Sequence, residues 1–79
     1  MFCAHFLGTL ASSLGSTVCL DTDRCIDVRA LVQEIIGSRG FPVSVEELVI
    51  TSLDGRPLPE SATSCDVNDV RVLRLFRGG

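Results

Sequence analysis

The chain has 79 residues, enough for one domain with one modest hydrophobic core, and its 46% hydrophobic and 22% charged residues are typical of a globular domain. The net charge of −3 gives no electrostatic reason to expect nucleic-acid binding. No apolar run is long enough to span a membrane, and Met1–Leu7 lacks the basic start of a signal peptide. We expect a soluble, cytoplasmic or nuclear monomer.

The first twenty residues predict a hairpin. Phe2–Leu7 is a strand pattern whose two faces are both fairly apolar, so the pattern does not say which face points inward. Gly8–Ser16 is rich in small and turn-forming residues, and we expect a mobile connection there. Thr17–Leu20 is short and β-prone, and it predicts the second strand.

A helix is predicted over residues 25–36, with Thr22 or Asp23 as its N-cap. Gly37–Gly40 ends it, because glycine adopts the left-handed conformation of a helix C-cap, and Pro42 prevents its continuation. Apolar residues recur within it at spacings of three and four, which places them on one side: Cys25, Val28, Leu31, Val32, Ile35 and Ile36.

The second half of the chain predicts a third strand, a turn and two further strands. The third strand is Glu46–Thr51, and Asp54–Gly55 is a strong turn signal. Pro57–Pro59 supports only a very short edge strand, since proline donates no hydrogen bond. Residues 60–69 form an irregular loop, and Val70–Phe76 is the last strand.

This order of elements predicts an α+β fold. The helix needs a sheet against which to bury its apolar side, and the first and last strands can be central neighbours only if they run parallel with the helix crossing between them. The arrangement is a β-grasp, a mixed sheet of four to five strands packed on one helix. We assign residues 1–73 to the domain and 74–79 to a flexible tail.

The tail has the composition of a segment that presents its own carboxylate. Gly78 and Gly79 have no side chains, so they can pass through a narrow channel. Arginine side chains before them can pair with acidic grooves, and the whole segment is the predicted recognition element: Arg74, Leu75, Phe76 and Arg77. All seven basic residues are arginine, so lysine-linked chains of this protein cannot form.

Several segments together resemble the ubiquitin-like family. Leu73–Gly79 is similar to the Leu-Arg-Leu-Arg-Gly-Gly end of ubiquitin, and Val28–Glu34 to its Val-Lys-Ala-Lys-Ile-Gln-Asp helix. Gly40–Pro42, Leu48–Ile50 and Gly55–Leu58 are similar to the Gly-Ile-Pro, Leu-Ile-Phe and Gly-Lys-Gln-Leu segments. The resemblance covers essentially the whole chain. It departs from ubiquitin in the missing lysines, a shorter segment before the last strand and a changed tail.

The resemblance implies a protein modifier that is not itself an enzyme and needs no metal or cofactor. A diglycine-specific protease would expose the Gly79 carboxylate, and activating (E1-type) and conjugating (E2-type) enzymes would join it to target amines through an isopeptide bond. The family's recognition patch would be centred on Val49, with Leu73 beside it and one of Leu10 or Leu14. His5 is interpreted as a sheet residue.

Three alternatives remain open. One is the ubiquitin-like moiety that is cleaved from a ribosomal-protein fusion. Ser64–Val67 of this chain resembles a loop of that moiety. Another is a β-grasp sulfur carrier with a thiocarboxylate at Gly79, since Val67–Val72 resembles the loop and final strand of such carriers. The third is a ubiquitin-like binding module that is never cleaved.

The four cysteines, at positions 3, 19, 25 and 65, permit two disulfides. No pair has the spacing of a zinc half-site, and the chain has one histidine, so a structural metal site is not expected. Nothing in the sequence indicates secretion, and cysteines within apolar runs usually behave as small hydrophobic residues. We therefore expect reduced thiols in the core.

Overall fold

The computed structural model describes residues 1–41 and 45–75, so Pro42 and the predicted tail residues Phe76–Gly79 lie outside the described part. The predicted α+β class is confirmed, with two helices in place of one. In chain order the elements are β1 (Phe2–Phe6), α1 (Thr9–Leu14), β2 (Thr17–Leu20), α2 (Val28–Ser38), a 3₁₀ turn (Val45–Glu47), β3 (Leu48–Thr51) and β4 (Asp69–Arg74).

The four strands form one mixed sheet in the order β2-β1-β4-β3. β1 pairs antiparallel with β2 and parallel with β4, and β4 pairs antiparallel with β3. The first and last strands are therefore the parallel central pair that the sequence predicted, an order compatible with a β-grasp-like fold. The expected short strand at Pro57–Pro59 is reduced to one isolated bridge between Thr51 and Pro57, as proline's missing donor requires.

The core lies between one face of the sheet and the helices. Phe2, Ala4 and Phe6 of β1 point into it, which settles the face that the sequence pattern left open. The register places Ala4 beside Val70, so the two central strands present their apolar residues to the same side. α2 buries five side chains at spacings of three and four against this face: Val28, Leu31, Val32, Ile35 and Ile36.

α2 begins three residues later than the sequence predicted. Its N-cap is Asp27, whose Oδ2 accepts a hydrogen bond from the Ala30 amide at 3.0 Å, and Cys25 is exposed outside the helix. The preceding backbone is pulled into extended pairing instead: the Val28 amide donates to the Ala62 carbonyl at 3.0 Å. Residues 25–27 therefore cannot form the predicted first turn.

α2 ends at Ser38, two residues later than predicted, and the predicted glycine cap is confirmed at Gly40. Gly40 has a φ of 71°, and its amide donates to the Gly37 carbonyl at 3.0 Å. The Phe41 amide donates to the Ile36 carbonyl at 3.2 Å, which completes a Schellman motif. Downstream, Glu46 and Glu47 belong to the 3₁₀ turn, so β3 begins two residues later than predicted.

The connection between β1 and β2 is not the mobile loop that its composition suggested. It contains α1, a helix of six residues in which Leu10 and Leu14 are 0% and 3% exposed. Gly8 and Gly15 flank it with φ values of 62° and 95°, a backbone conformation that lets the chain turn sharply into and out of the helix. Two leucines four residues apart share one side of the helix, and that side closes the end of the core.

We expect Leu10→Ala to lower the free energy of unfolding by about 2–5 kcal/mol, because it leaves a cavity in a closed core. Ser12→Ala, on the exposed side of the same helix, is the matched control and should change it by less than about 0.5 kcal/mol. Urea denaturation measures both. Equal, small effects would mean that the 9–14 segment does not contribute to the core.

The N-cap makes a second prediction. Asp27→Ala should destabilise the protein by about 1 kcal/mol, since the Ala30 amide loses its acceptor. Asp23→Ala removes one of the two N-caps that the sequence predicted and should be close to neutral, because Asp23 is exposed and precedes the helix by several residues. A larger loss at Asp23 than at Asp27 in thermal unfolding would contradict the observed helix start.

Candidate functional site

The candidate functional residues lie on the face of the sheet opposite the core, which we call the outer face. Side chains alternate between the two faces along each strand, so the inward positions of β1 and β4 define the outward ones. The pairing register then aligns the outer-face residues of neighbouring strands. These residues are Thr17 and Cys19 on β2, Cys3 and His5 on β1, Asp69, Arg71 and Leu73 on β4, and Val49 and Thr51 on β3.

The predicted partner patch is assembled only in part. Val49 and Leu73 are directly opposite each other on β3 and β4, Val49 half-buried and Leu73 39% exposed. Leu10 and Leu14 do not join them, because α1 turns both leucines into the core. The prediction that one of them contributes to an exposed patch was wrong. The outer face offers the Val49–Leu73 pair at the β3 edge.

The root of the tail is held to the sheet. β4 ends at Arg74, and the Leu75 amide still donates to the Glu47 carbonyl at 2.8 Å, so the edge pairing reaches one residue further. Arg74 Nη2 lies 3.9 Å from Glu47 Oε1. Leu75 is 55% exposed. Of the predicted recognition and conjugation residues, Phe76, Arg77, Gly78 and Gly79 lie outside the described residues.

A hydrogen-bonded array crosses the outer face of the three strands β2, β1 and β4. His5 Nε2 lies 3.0 Å from Asp69 Oδ1, and His5 Nδ1 lies 3.2 Å from Thr17 Oγ1. An ionised carboxylate only accepts hydrogen bonds, so Nε2 carries the proton that is donated to Asp69. In the neutral imidazole Nδ1 then holds the lone pair, and the Thr17 hydroxyl donates to it.

In this array a hydroxyl, an imidazole and a carboxylate are hydrogen-bonded in the same sequence as in the catalytic triad of serine hydrolases. The side chains of His5 and Asp69 are 33% and 42% exposed, and Thr17 is exposed. An open sheet surface gives no water-free position in which a developing oxyanion would be stabilised. We therefore interpret the array as fixing the orientation of His5. It was missed in the sequence because its members are 12 and 64 residues from His5.

All four cysteines are paired in disulfides, which corrects the expectation of reduced core thiols. Cys3 and Cys19 are opposite each other across the β1–β2 hairpin, with Cα atoms 4.0 Å apart. The Phe6 amide donates to the Ser16 carbonyl at 2.9 Å, so that pair is hydrogen-bonded and the cysteine pair three positions away is of the closer, non-hydrogen-bonded type. The closeness of the two Cα atoms follows from this register.

The second disulfide joins Cys25 to Cys65, and both residues are exposed. It ties the segment before α2 to the loop before β4. The same two segments share backbone bonds, and Ser64 Oγ donates to the Arg24 carbonyl at 2.6 Å and accepts from the Ile26 amide at 3.0 Å. Exposure explains why the core-thiol expectation failed here: neither cysteine lies on the buried side of α2.

Comparison with known protein families, curated proteins and solved structures returned no match. Across residues 1–41 and 45–75, no helix is long and apolar enough to cross a membrane. Within those same residues, and with both disulfides formed, no three His, Cys, Asp or Glu side chains are grouped so as to hold a metal ion.

The two disulfides should differ in their effect on stability. By loop-closure entropy, Cys25–Cys65, which spans 40 residues, stabilises the fold by about 4 kcal/mol, and Cys3–Cys19, which spans 16, by about 3 kcal/mol. Urea denaturation of the C25S/C65S and C3S/C19S double variants measures each effect separately. The first should be the less stable; the reverse order would show that chain entropy does not govern the difference.

Proposed function

We propose that this chain is a ubiquitin-like protein modifier. The Gly79 carboxylate, exposed by a processing protease, attacks ATP on an activating enzyme and forms an acyl adenylate with loss of pyrophosphate. An enzyme cysteine thiolate displaces AMP to form a thioester. A target amine then displaces the thiolate, giving an isopeptide bond. The enzymes carry out this chemistry, and the chain supplies the acyl group and the surfaces that they recognise.

The observation that carries the proposal is the position of β4. It is a central strand, paired with β1 on one side and β3 on the other, and it is the last element in the described part of the chain. A tail that leaves such a strand starts from one of the most firmly held parts of the fold. An enzyme that recognises the body would therefore find the root of the tail at a fixed distance from the surface it contacts.

The chemistry of the last residues supports the same role. Leu75 is exposed at the root, and Arg77, Gly78 and Gly79 follow it in the sequence. Glycines impose the least steric hindrance where an enzyme encloses the reacting carboxylate. Arg74 already lies near Glu47, so its attraction to an acidic groove on an enzyme competes with this contact.

The Val49–Leu73 pair supports a second candidate, a recognition module that acts without cleavage. Two adjacent aliphatic side chains on an exposed sheet face are a site where a partner's apolar group gains contact area. The pair lies on β3 and β4, close to where the tail leaves the sheet, so a modifier and a module would both use it. The difference between these two functions lies in the fate of Gly79.

The disulfides bear on where the protein acts. Structural disulfides persist in oxidising compartments, whereas the cytosol keeps thiols reduced. A cytoplasmic or nuclear modifier must therefore keep its fold with all four thiols free. The apolar core between the sheet and α2 includes none of the cysteines, so reduction removes covalent ties but no core side chain.

The proposal is tested by expressing the whole open reading frame with an N-terminal tag in the source cells. Blot sizes and the intact mass of the smallest species are recorded for the wild type and for Gly79→Ala. A modifier should give a species ending at Gly79 and a ladder of larger adducts, both lost in Gly79→Ala. Ser61→Ala, an exposed change in the loop before β4, is the matched control and should retain both.

The other functions give different outcomes. A species whose mass corresponds to exchange of one terminal oxygen for sulfur would indicate a sulfur carrier. Release of the free body from a longer chain without a ladder would indicate a cleaved fusion moiety. One uncut species that still captures a partner, with capture lost in Leu73→Glu, would overturn the modifier and establish a recognition module.

A further inference from the structure

Three residues with metal-binding side chains are neighbours on the outer face. Cys3 and His5 are two positions apart on β1, so they point to the same side. Cys19 is directly opposite Cys3 on β2, and Thr17 is directly opposite His5. Two sulfurs and one imidazole therefore lie close together on the β1–β2 hairpin, in a block of four outer-face residues: Cys3, His5, Thr17 and Cys19.

The hydrogen bonds of His5 direct one nitrogen towards β2. Nε2 is engaged by Asp69 on the β4 side, at 3.0 Å, and Nδ1 faces Thr17 on the β2 side, at 3.2 Å. Nδ1 thus carries its lone pair on the side of the ring where the strand of Cys19 lies. A carboxylate that holds the other ring N–H is the usual support of a metal-bound histidine, because it fixes the tautomer and raises the basicity of the ligand nitrogen.

We propose that reduction of Cys3–Cys19 converts this block into a Zn²⁺ site, with Cys3 Sγ, Cys19 Sγ and His5 Nδ1 as ligands and Asp69 as the orienting carboxylate. Tetrahedral zinc with bonds of about 2.3 Å to sulfur needs the two sulfurs roughly 3.8 Å apart. Cα atoms separated by 4.0 Å allow that spacing through side-chain rotation alone. Water completes the coordination.

The reaction balances with an external thiol as reductant. Two thiols, or one dithiol, give two electrons and two protons to the Cys3–Cys19 bond and become a disulfide themselves. Zn²⁺ then replaces the two thiol protons, and the two thiolates neutralise its charge. Cys19 is exposed, so the reducing thiol has direct access to the bond.

The second cysteine pair provides an internal comparison. Cys25 and Cys65 are also close enough to be bonded, but the single histidine of the chain lies at the other pair. If the two thiolates were its only protein ligands, a metal ion should bind equally well to both reduced cysteine pairs. A preference for Cys3 and Cys19 therefore isolates the contribution of His5. The zinc site does not depend on the proposed modifier function.

The experiment uses the full chain with C25S/C65S, which leaves only the cysteines of the proposed site. After reduction and removal of the reductant without air, Co²⁺ is titrated as a spectroscopic probe and then displaced by Zn²⁺. We expect one Co²⁺ per chain, thiolate-to-metal charge-transfer absorption and the visible bands of tetrahedral cobalt. The oxidised protein should show none of these, and circular dichroism checks that the reduced chain is folded.

Three single changes in the same background test the assigned roles. His5→Gln should abolish the tetrahedral spectrum, and Asp69→Asn should weaken metal binding about 10–100-fold. Ser13→Ala, at an exposed position of α1, is the control and should leave the affinity unchanged. Equal affinity in the reduced C3S/C19S variant, an unaltered spectrum in His5→Gln, or a reduced chain that stays unfolded with Zn²⁺ would each overturn the proposal.

Discussion

The parallel pairing of β1 with β4 is the contact on which the rest of the structure depends. It aligns residues 3–6 with residues 69–72 and so joins the two ends of the chain at the centre of the sheet. Parallel neighbours cannot be joined by a tight turn, and the intervening chain must cross over. α2 makes that crossing, and its apolar side covers the inner face of both strands. The same register brings His5 to Asp69 on the other side of the sheet.

A second set of contacts joins the segment before α2 to the loop before β4. Residues 26–28 pair with residues 62–64 around the Asp27–Thr63 bridge, and the Cys25–Cys65 disulfide closes the same region covalently. This pairing decides where α2 begins, because a backbone whose donors and acceptors are used across to another segment cannot also form a helical turn. It also fixes the long loop just before it enters β4. The segment that leads into α2 and the loop that leads into β4 are therefore held to each other.

The outer face divides into two areas with different chemistry. The Val49–Leu73 pair on β3 and β4 is apolar and adjoins the root of the tail. The hairpin side carries Cys3, Cys19 and His5, and its state follows the redox potential of its surroundings. The first area lies towards the β3 edge of the sheet and the second towards the β2 edge. A partner at the first area and a metal or a disulfide at the second can therefore be present together.

Elements whose signals are local could be predicted from the sequence alone. Patterns within each segment predict the apolar side of α2, its glycine cap and the alternation of β4. The need for a crossover predicts that the first and last strands, β1 and β4, pair in parallel. The sequence also carries the resemblance that first indicated a modifier, because the similarity of the last residues can be read from the sequence. Apart from the pairing of β1 with β4, these features are local to each segment.

The remaining features could not be predicted from the sequence, because they depend on contacts between residues that are far apart in the chain. α1 forms because burial of Leu10 and Leu14 in the core outweighs the low helix propensity of the glycine and serine residues around them. α2 starts at Val28 because Ala62 takes its amide. The cysteine pairs are 16 and 40 residues apart. Cys25–Cys65 depends on the pairing of the segment before α2 with the loop before β4. Cys3–Cys19 depends on the strand register, which the apolar residues on both faces of β1 left undetermined. The surroundings of His5 follow from the same register.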